Sequence, residues 1–159
     1  MNTVYLLLGS NMGDSEQMVS VATNMIEKKI GKLTTSSSIY RTAAWGKEDQ
    51  PDFLNQIIIV SSSLCSSTVL KEILIIEKEI GRVRTTKNAA RVIDIDILFF
   101  NDEIIHNENL TVPHKQIQNR KFVLVPLAEI SPDFIHPILK KTSLELLSIC
   151  SDKLNVQKN

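Results

Sequence analysis

The 159-residue sequence has little of several features that mark common functional classes. Its two cysteines, Cys65 and Cys150, follow no metal-ligand spacing and are too few for a disulfide framework, so we expect free thiols in a reducing compartment. Its formal net charge is zero, which argues against nucleic acid or an anionic membrane as a general partner. The apolar run at 4–8 is too short for a signal peptide or a membrane span. The sequence therefore predicts a cytoplasmic protein that binds neither membranes nor nucleic acids.

The rest of the composition is typical of one globular domain. Apolar residues make up 43% of the chain and charged residues 23%. A chain of this length buries about 68–70% of the surface that its unfolded form exposes, so it can form a stable core without disulfide bonds or structural metal ions. No internal repeat, low-complexity tract or linker interrupts the sequence. We expect a single domain over residues 1–159, with 151–159 as a candidate flexible tail.

Hydrophobic periodicity predicts an alternation of strands and helices. Strands are expected at 4–8, 33–40, 53–61 and 92–100, and helices at about 15–30 and from Ser66 or Ser67 to Gly81. This β-α-β-β-α-β order predicts an α+β fold, a ferredoxin-like βαββαβ sandwich. We expect an added hairpin around Asn101 and Asp102, and C-terminal helices near 115–129 and 142–149.

The strand at 92–100, VIDIDILFF, has two chemically different faces because side chains alternate along a strand. One face holds the residues expected to pack on the helices, namely Ile93, Ile95, Ile97 and Phe99. Asp94 and Asp96 share the other face, with Cα atoms about 6.6–6.8 Å apart. Such a pair can bind Mg²⁺, which takes one or two carboxylates together with phosphate oxygens and waters. The alternative is a solvated sheet face, although aspartate is depleted in strands and its presence there calls for compensation.

A basic run lies directly before this strand. Between 82 and 91 stand Arg82, Arg84, Lys87 and Arg91, with no acidic residue. Arginine binds phosphate oxygens with two parallel hydrogen bonds, and lysine acts as a point charge. Taken alone, the run could be a solvated loop, but beside two aspartates it predicts a polyphosphate site. The chain has no GxxxxGK[ST] loop, so we expect ATP to be held by side chains and metal ions.

Seven segments together carry a resemblance to a known family. They are LLLGSNMGD (6–14), SSIYRTAAWG (37–46), QPDFLNQ (50–56), IEKEIGRVR (76–84), RVIDIDILFF (91–100), LTVPH (110–114) and NRKFVLVPLAEI (119–130). In these segments the sequence resembles the 6-hydroxymethyl-7,8-dihydropterin pyrophosphokinase family along nearly its whole length. The most specific element is the R-x-x-D-x-D-I-x-x-F stretch followed by LTVPH.

The resemblance implies a ferredoxin-like αβα sandwich and an Mg²⁺-dependent pyrophosphokinase of folate biosynthesis. Such an enzyme transfers pyrophosphate from its co-substrate ATP to the hydroxymethyl group of the dihydropterin and releases AMP. The resemblance also implies a role for each matching residue. The ligands of the two Mg²⁺ ions match Asp94 and Asp96. The contacts of the ATP phosphates match Arg82, Arg91 and His114, and the catalytic residues are Arg82, Arg84, Lys87 and Arg91. The surroundings of the nucleotide match Glu77, Ile97 and Thr111, and we expect Lys115 to lie there too because it follows His114. The pterin site matches Thr42, Phe53, Asn55 and Phe122.

The pterin assignments agree with the chemistry of the ligand. A pterin is a flat, amide-like heterocycle, so its site needs aromatic faces and a side chain that both donates and accepts hydrogen bonds. Phe53 and Phe122 can supply ring faces, and Asn55 has both a carbonyl oxygen and an NH₂ group. Without the resemblance, the two phenylalanines would more simply be core residues, Asn55 a turn residue and Trp45 a loop anchor.

The expected mechanism is positioning and charge neutralisation, with little covalent work for the protein. Two cations about 3.5–4 Å apart would bridge the ATP oxygens, and we expect no side chain to act as general base. We also expect the enzyme to be a monomer. A competing hypothesis is an RNA-binding module of the same fold, but the chain lacks the RNP1 pattern and carries aspartates where stacking aromatics would be needed. A catalytically inactive scaffold is the other alternative.

The chain departs from the family's common pattern in three places. KNAAR at 87–91 lacks a frequent Gly-Pro, and Ala43-Ala44 replaces a frequent proline, so both loops lose a backbone restraint. Lys115 stands where an aromatic residue often follows the histidine. The last change exchanges a ring for a charge beside the expected nucleotide site.

Overall fold

The computed structural model describes residues 1–43, 51–81 and 92–159. Its strands are β1 (Asn2–Ser10), β2 (Lys32–Ser36), β3 (Tyr40–Thr42), β4 (Phe53–Ser62), β5 (Asp94–Phe100), β6 (Ile105–His106), β7 (Thr111–Val112) and β8 (Val156–Lys158). Its α-helices are α1 (Ser15–Lys29), α2 (Ser66–Gly81), α3 (Lys121–Ile130) and α4 (Ser143–Ile149), with a 3₁₀ turn at Ile117–Asn119.

An antiparallel sheet forms the centre of the molecule, in the order β5-β1-β4-β3-β8, and β2 also pairs with β4. The predicted strand at 33–40 is thus divided into β2 and β3, which pair with successive parts of β4. With those two taken as one strand, the first four positions reproduce the ferredoxin-like order. The predicted α+β class and fold are therefore confirmed. Among the described residues, no helix has the length and apolar character needed to cross a membrane.

Each face of the sheet is covered by one pair of helices. Side chains from alternate positions of β1, β4 and β5 form one core with α1 and α2, which includes Leu6, Leu8 and Ile58. The intervening positions form a second core with α3 and α4, which includes Leu7 and Ile57. This arrangement is the αβα sandwich that the resemblance implied.

The expectation that Phe99 shares a face with Ile93, Ile95 and Ile97 is wrong. Tyr5 of β1 pairs with Phe99, but the next residue, Leu6, pairs with Ile97, so Leu98 is an extra residue in β5. This β-bulge shifts the alternation by one position, as an inserted residue must. Phe99 consequently packs in the core of the α3–α4 face, whereas Phe100 packs on the α1–α2 face.

Two further boundaries differ from the predictions. The added hairpin is not centred on Asn101 and Asp102; it is formed by β6 and β7, and its turn lies at 107–110. Asn107 explains that position, because its side-chain oxygen accepts the amides of Asn109 (2.9 Å) and Leu110 (3.0 Å). The candidate tail at 151–159 contains β8, which pairs with β3 and so belongs to the sheet.

Local signals account for the first helix. Asp14 caps α1 by accepting the amide of Gln17 at 3.1 Å. Gly31 follows the helix at a point where β4 comes very close: a Cβ there would lie 2.2 Å from the carbonyl oxygen of Ser61. Glycine is required at 31 by this approach, in addition to its role as a helix stop.

Glu129 fastens α3 to the connection between β2 and β3. Its carboxylate accepts the amide and hydroxyl of Ser38 (3.0 and 2.8 Å) and the hydroxyl of Tyr40 (2.9 Å). Burial alone would raise the pKa of Glu129, but the hydrogen bonds from Ser38 and Tyr40 and the charge of Lys158 bring it below its ordinary value. Burial, together with Glu129, raises the pKa of Tyr40 to about 12, so Tyr40 remains a donor.

Candidate active site

A cavity of about 690 Å³ opens on the α3–α4 face of the sheet, at the end of β1 that leads towards α1. Its wall is contributed by β1, β3, β4, β5, the start of α3 and the segment after α4. The lining residues are Leu7, Gly9, Thr42, Ala43, Phe53, Asn55, Asp94, Asp96, Gln116, Asn119, Arg120, Phe122, Ser151, Asp152 and Leu154. The structure thus brings the six residues predicted for pterin and metal binding into one cavity.

Strand register places the metal and pterin candidates in a single row across the sheet. Gly9 of β1 pairs with Asp94 of β5 on one side and with Asn55 of β4 on the other. Neighbouring strands are about 4.8 Å apart, so the Cα atoms of Asp94 and Asn55 are separated by about 10 Å. The next row on the same face holds Asp96 beside Leu7. A ligand that lies over Gly9 would therefore reach both a carboxylate and an amide.

Gly9 leaves the floor of the cavity open. A Cβ at this position would lie 2.8 Å from Oδ1 of Asn55, closer than real Cβ contacts allow. Any side chain would have to displace Asn55 or enter the space between it and Asp94. Gly9 is not among the site residues predicted from the sequence, although it lines the cavity.

The pterin candidates surround the end of the cavity farthest from β5. Thr42 and Phe53 are paired across β3 and β4, and Asn55 lies two residues further along the same face. Asn55 is buried, with 5% of its surface exposed, as is Thr42 with 3%. The hydroxyl of Thr42 has no hydrogen-bond partner among the residues that the structure describes. A buried polar atom left in this state is costly, so a ligand that bonds to it would be favoured.

Asp94 and Asp96 are half-buried and face the cavity together. In the described parts of the chain, no group of three or more His, Cys, Asp or Glu side chains is arranged to hold a metal ion. Two carboxylates in an open cavity nevertheless fit Mg²⁺, which usually completes its octahedron with waters and substrate phosphates rather than with a full set of protein ligands. The donor set is therefore suited to a magnesium–nucleotide complex.

Two cationic or hydrogen-bonding groups stand near the aspartates. The Arg120 guanidinium lies 5.7 Å from the centre of the Phe122 ring, a cation–π contact on the cavity wall. Burial lowers the pKa of His114, Arg120 and Lys115 add to this effect, and Asp96 and Asp94 oppose it. Its Nδ1 accepts the amide of Gln116 at 3.2 Å, so the neutral ring carries its proton on Nε2. His114 can therefore donate one hydrogen bond to a phosphate oxygen.

The remaining nucleotide candidates do not line the described wall of this cavity. Ile97 packs in the core under α2, and the Glu77 carboxylate accepts the amide of Ile95 at 2.9 Å. The hydroxyl oxygen of Thr111 in β7 lies 3.3 Å from Nδ1 of His106, and Lys115 is exposed. These residues lie along the outer edge of β5, where the amide of His114 donates to the carbonyl of Leu98 at 3.0 Å.

A second, smaller cavity of about 280 Å³ lies between α2 and the β6–β7 hairpin. Ser67 and Leu70 form its helical side, and residues 107–110 form the other. Leu70 is seven residues before Glu77, two turns along the same side of α2. Leu110 directly precedes Thr111, so this cavity lies beside the nucleotide candidates.

The four basic candidates, Arg82, Arg84, Lys87 and Arg91, lie outside the described residues, as does Trp45. Conversely, nine of the lining residues are not among those predicted from the sequence, and they include Gly9, Arg120, Asp152 and Leu154. Gly9 and Arg120 stand inside segments that carried the resemblance, LLLGSNMGD and NRKFVLVPLAEI, so that signal could have found them. Asp152 and Leu154 lie outside those segments and have no local sequence signal.

Comparison with known proteins gives one consistent family. Residues 5–132 match the family model described as 7,8-dihydro-6-hydroxymethylpterin-pyrophosphokinase (HPPK). The chain is 42% identical over 141 residues to the 2-amino-4-hydroxy-6-hydroxymethyldihydropteridine pyrophosphokinase of Aquifex aeolicus, covering 89% of this chain and 88% of the relative. It is 40% identical over 138 residues to the protein of the same name from Haemophilus influenzae, covering 86% of each.

Solved structures with a similar fold include the HPPK-DHPS protein of Plasmodium falciparum. Its crystal structure superposes with a TM-score of 0.76 at 19% sequence identity, over 93% of this chain and 43% of that one. The chain therefore spans less than half the length of this structural neighbour. At this level of identity the similarity concerns the fold.

Proposed function

Because the chain belongs to the 7,8-dihydro-6-hydroxymethylpterin-pyrophosphokinase family, we propose that it transfers pyrophosphate from ATP to the hydroxymethyl group of 6-hydroxymethyl-7,8-dihydropterin, a step of folate biosynthesis. The observation that carries the proposal is the row Asp94–Gly9–Asn55. It sets a candidate phosphate-and-metal position and a candidate heterocycle position about 10 Å apart on one open floor. A bicyclic alcohol and a polyphosphate would meet over the glycine.

The pterin lies, in this proposal, between Phe53 and Phe122, with its polar edge towards Asn55 and Thr42. The buried Thr42 hydroxyl then gains the partner that it lacks among the described residues. The amide of Asn55 both donates and accepts, which suits the adjoining ring nitrogen and carbonyl of a pterin. This orientation points the hydroxymethyl group towards Asp94 and Asp96.

ATP, in turn, runs along the outer edge of β5. Its base would occupy the smaller cavity beside Leu70 and Leu110, whose apolar side chains suit the faces of a purine. Glu77, Ile97 and Thr111 would border the nucleoside. The phosphates would then pass His114 and Arg120 on their way to the aspartates. We include Lys115 and the basic residues Arg82, Arg84, Lys87 and Arg91 among the groups that neutralise the phosphates.

Asp94 and Asp96 would hold two Mg²⁺ ions against the phosphates. When bound, Mg²⁺ neutralises phosphate charge and polarises the attacking hydroxyl. The residues of the chain do the rest of the work: Phe53, Phe122 and Asn55 fix the pterin, and Arg120 and the Nε2 proton of His114 bind phosphate oxygens. The hydroxymethyl oxygen forms a bond to the β-phosphorus as the bond from that phosphorus to the α,β-bridging oxygen breaks. AMP leaves, and the proton of the hydroxyl is released to solvent. Positioning and electrostatics of this kind are the main sources of catalysis in phosphoryl transfer.

The decisive measurement is the identity of the nucleotide product. With ATP, Mg²⁺ and the dihydropterin, the protein should form AMP and the pterin diphosphate in equal amounts, with no AMP when either Mg²⁺ or the pterin is omitted. Formation of ADP and a pterin monophosphate, or AMP release that does not require the pterin, would refute the proposal.

We further propose that the enzyme acts as a monomer in the cytoplasm, since one chain supplies every residue of the row and ATP is available there.

A further inference from the structure

The segment that follows α4 forms one side of the larger cavity. Residues 151–158, named here the C-terminal strap, run from the end of α4 past the start of α3 to β3. Ser151, Asp152 and Leu154 line the cavity, and β8 then pairs with β3 so that Val156 stands opposite Thr42. The strap therefore closes the wall between Phe122 on α3 and Thr42 on β3.

Asp152 joins this strap to α3 through both oxygens of its carboxylate. Oδ2 accepts the backbone amide of Lys121, the first residue of α3, at 3.0 Å. Oδ1 accepts the amide of Leu154, two residues ahead, at 3.0 Å, in the manner of an Asx turn. One side chain thus sets the position of a helix end and of the strap together.

The first turn of α3 has few hydrogen bonds from within its own helix. Its N-cap residue, Arg120, makes no side-chain capping hydrogen bond. Pro126 lies inside the helix and has no N–H to donate to the carbonyl of Phe122, four residues earlier. The first turn, which carries Phe122, is therefore held by fewer bonds of its own. The Asp152 carboxylate supplies the missing cap, and its negative charge interacts favourably with the helix dipole.

We propose that Asp152 is a positioning residue of the pterin subsite, acting through Phe122 and Leu154. This inference rests on the proposed function, because it takes the pterin to lie between Phe122 and the residues of β3 and β4. Both carboxylate oxygens already bind backbone amides, so Asp152 acts on the ligand through the wall that it holds. Losing it should let the first turn of α3 and the strap move apart, which widens the pterin end of the cavity. Among the described groups on the nucleotide side, only Arg120 adjoins this turn, and His114 and the edge of β5 stay in place.

The test compares Asp152→Ala with a matched loss of a helix cap outside the cavity. Thr142 caps α4 by accepting the amide of Glu145 at 3.1 Å in a capping box, and α4 packs in the same core as α3. Thr142→Ala therefore removes a comparable hydrogen bond without touching the cavity. For each protein we would measure the melting temperature, the Kd of the dihydropterin with Mg²⁺ and a non-hydrolysable ATP analogue present, and the KM for ATP.

Both variants should lower the melting temperature, but only Asp152→Ala should weaken the pterin, by about tenfold, with the KM for ATP changed less than about twofold. Asp152→Asn keeps one acceptor oxygen and should recover part of the lost affinity. The inference is overturned if Asp152→Ala binds the pterin as the parent does, or if Thr142→Ala loses as much affinity.

If Asp152→Ala does not fold, the same measurements are made on Asp152→Asn and Leu154→Ala. Leu154→Ala keeps the bond from Lys121 to Asp152 and removes part of the wall, so it should weaken the pterin while leaving the KM for ATP near the parent value. Unchanged pterin affinity in both variants would refute the inference. The parent protein separates the two proposals: if it makes no AMP from ATP and the pterin, the proposed function fails, whereas an active parent with a fully active Asp152→Ala removes only the role of Asp152.

Discussion

The two faces of the central sheet are built from the same strands, but the apolar core extends further along β1 on one face than on the other. On the α1–α2 face, Leu6 and Leu8 of β1 continue a closed apolar core with Ile58 of β4, and all are fully buried. On the α3–α4 face, the apolar core includes Leu7 and then stops. The next position on that face is Gly9, which lies at the floor of the cavity.

Adjacent residues of β1 therefore have different surroundings, since one packs in a closed core and the next lines the cavity of the candidate site. Because side chains alternate, Leu8 and Gly9 point to opposite faces although they are neighbours in the chain. A substitution on the closed face should act on the free energy of unfolding. A substitution on the open face should act on ligand affinity or turnover, with much less effect on stability.

The largest expected effect is at the aspartates. Asp96→Asn or Asp94→Asn keeps the shape of the side chain but removes a charge that Mg²⁺ needs, so kcat/KM should fall by about 100-fold or more. The measurement is AMP formation across a range of Mg²⁺ concentrations. The far-ultraviolet circular dichroism spectrum, as a control, should match that of the parent. Turnover above a tenth of the parent value would remove the aspartates from the metal site.

Gly9→Ala tests the open floor directly. Its Cβ would lie 2.8 Å from Oδ1 of Asn55, so the Asn55 side chain has to move from the position in which it would bind the pterin. We expect the KM for the pterin to rise by about tenfold or more, while the KM for ATP changes little. Steady-state kinetics with each substrate varied in turn checks this.

The control for Gly9→Ala comes from the closed face. Ile58→Ala leaves a cavity in the core and should lower the free energy of unfolding by about 2–5 kcal/mol. The folded fraction should keep the pterin Kd of the parent. If Ile58→Ala weakened the pterin as much as Gly9→Ala does, the distinction between the two faces would not hold.

A smaller effect is expected at Glu129, which lies in α3 and does not line the cavity. Its pKa in the folded protein is below the ordinary value of about 4.3, so its contribution to stability is present above that pH and is lost as the pH falls through the folded pKa. Glu129→Gln should lower the free energy of unfolding by about 1 kcal/mol at pH 7, because the group is exposed and its charge is screened. Urea denaturation at pH 7 and at successively lower pH checks this: the difference between the two proteins should shrink as the pH falls through the folded pKa of Glu129. A difference that did not depend on pH would show that ionisation is not involved.

The smallest effect should come from Lys115, which is exposed. Exposed charge contacts are worth under about 1 kcal/mol and are screened by salt. Lys115→Tyr should therefore change the Kd of an ATP analogue by less than about fivefold and make it less dependent on ionic strength. The pterin Kd should stay the same. Titrations at low and high salt compare the two proteins, and identical salt dependence would mean that Lys115 does not attract the nucleotide.

The sequence predicts regular stretches of strand better than features that depend on distant parts of the chain. Alternating isoleucines in VIDIDILFF place Asp94 and Asp96 on the correct face, because that part of β5 is regular. The error at Phe99 arises from a bulge, which depends on the register against β1 and leaves no mark in β5 itself. Asp152 is inaccessible to sequence reasoning for a related cause: its partner Lys121 is 31 residues away, and only the folded chain brings them together.

The extra residue in β5 also divides one strand into two parts with opposite alternation. Before Leu98 the alternate side chains include Asp94 and Asp96 on the floor of the cavity, and after it Phe99 and Phe100 pack into the two cores. Asp94 and Asp96 therefore keep their register with β1 although the residues beyond Leu98 face the opposite way to a regular strand. Leu98 also presents its carbonyl to the amide of His114, so the inserted residue holds a third element against the strand. One inserted residue thus lets the same strand serve the candidate site with one alternation and the two apolar cores with the other.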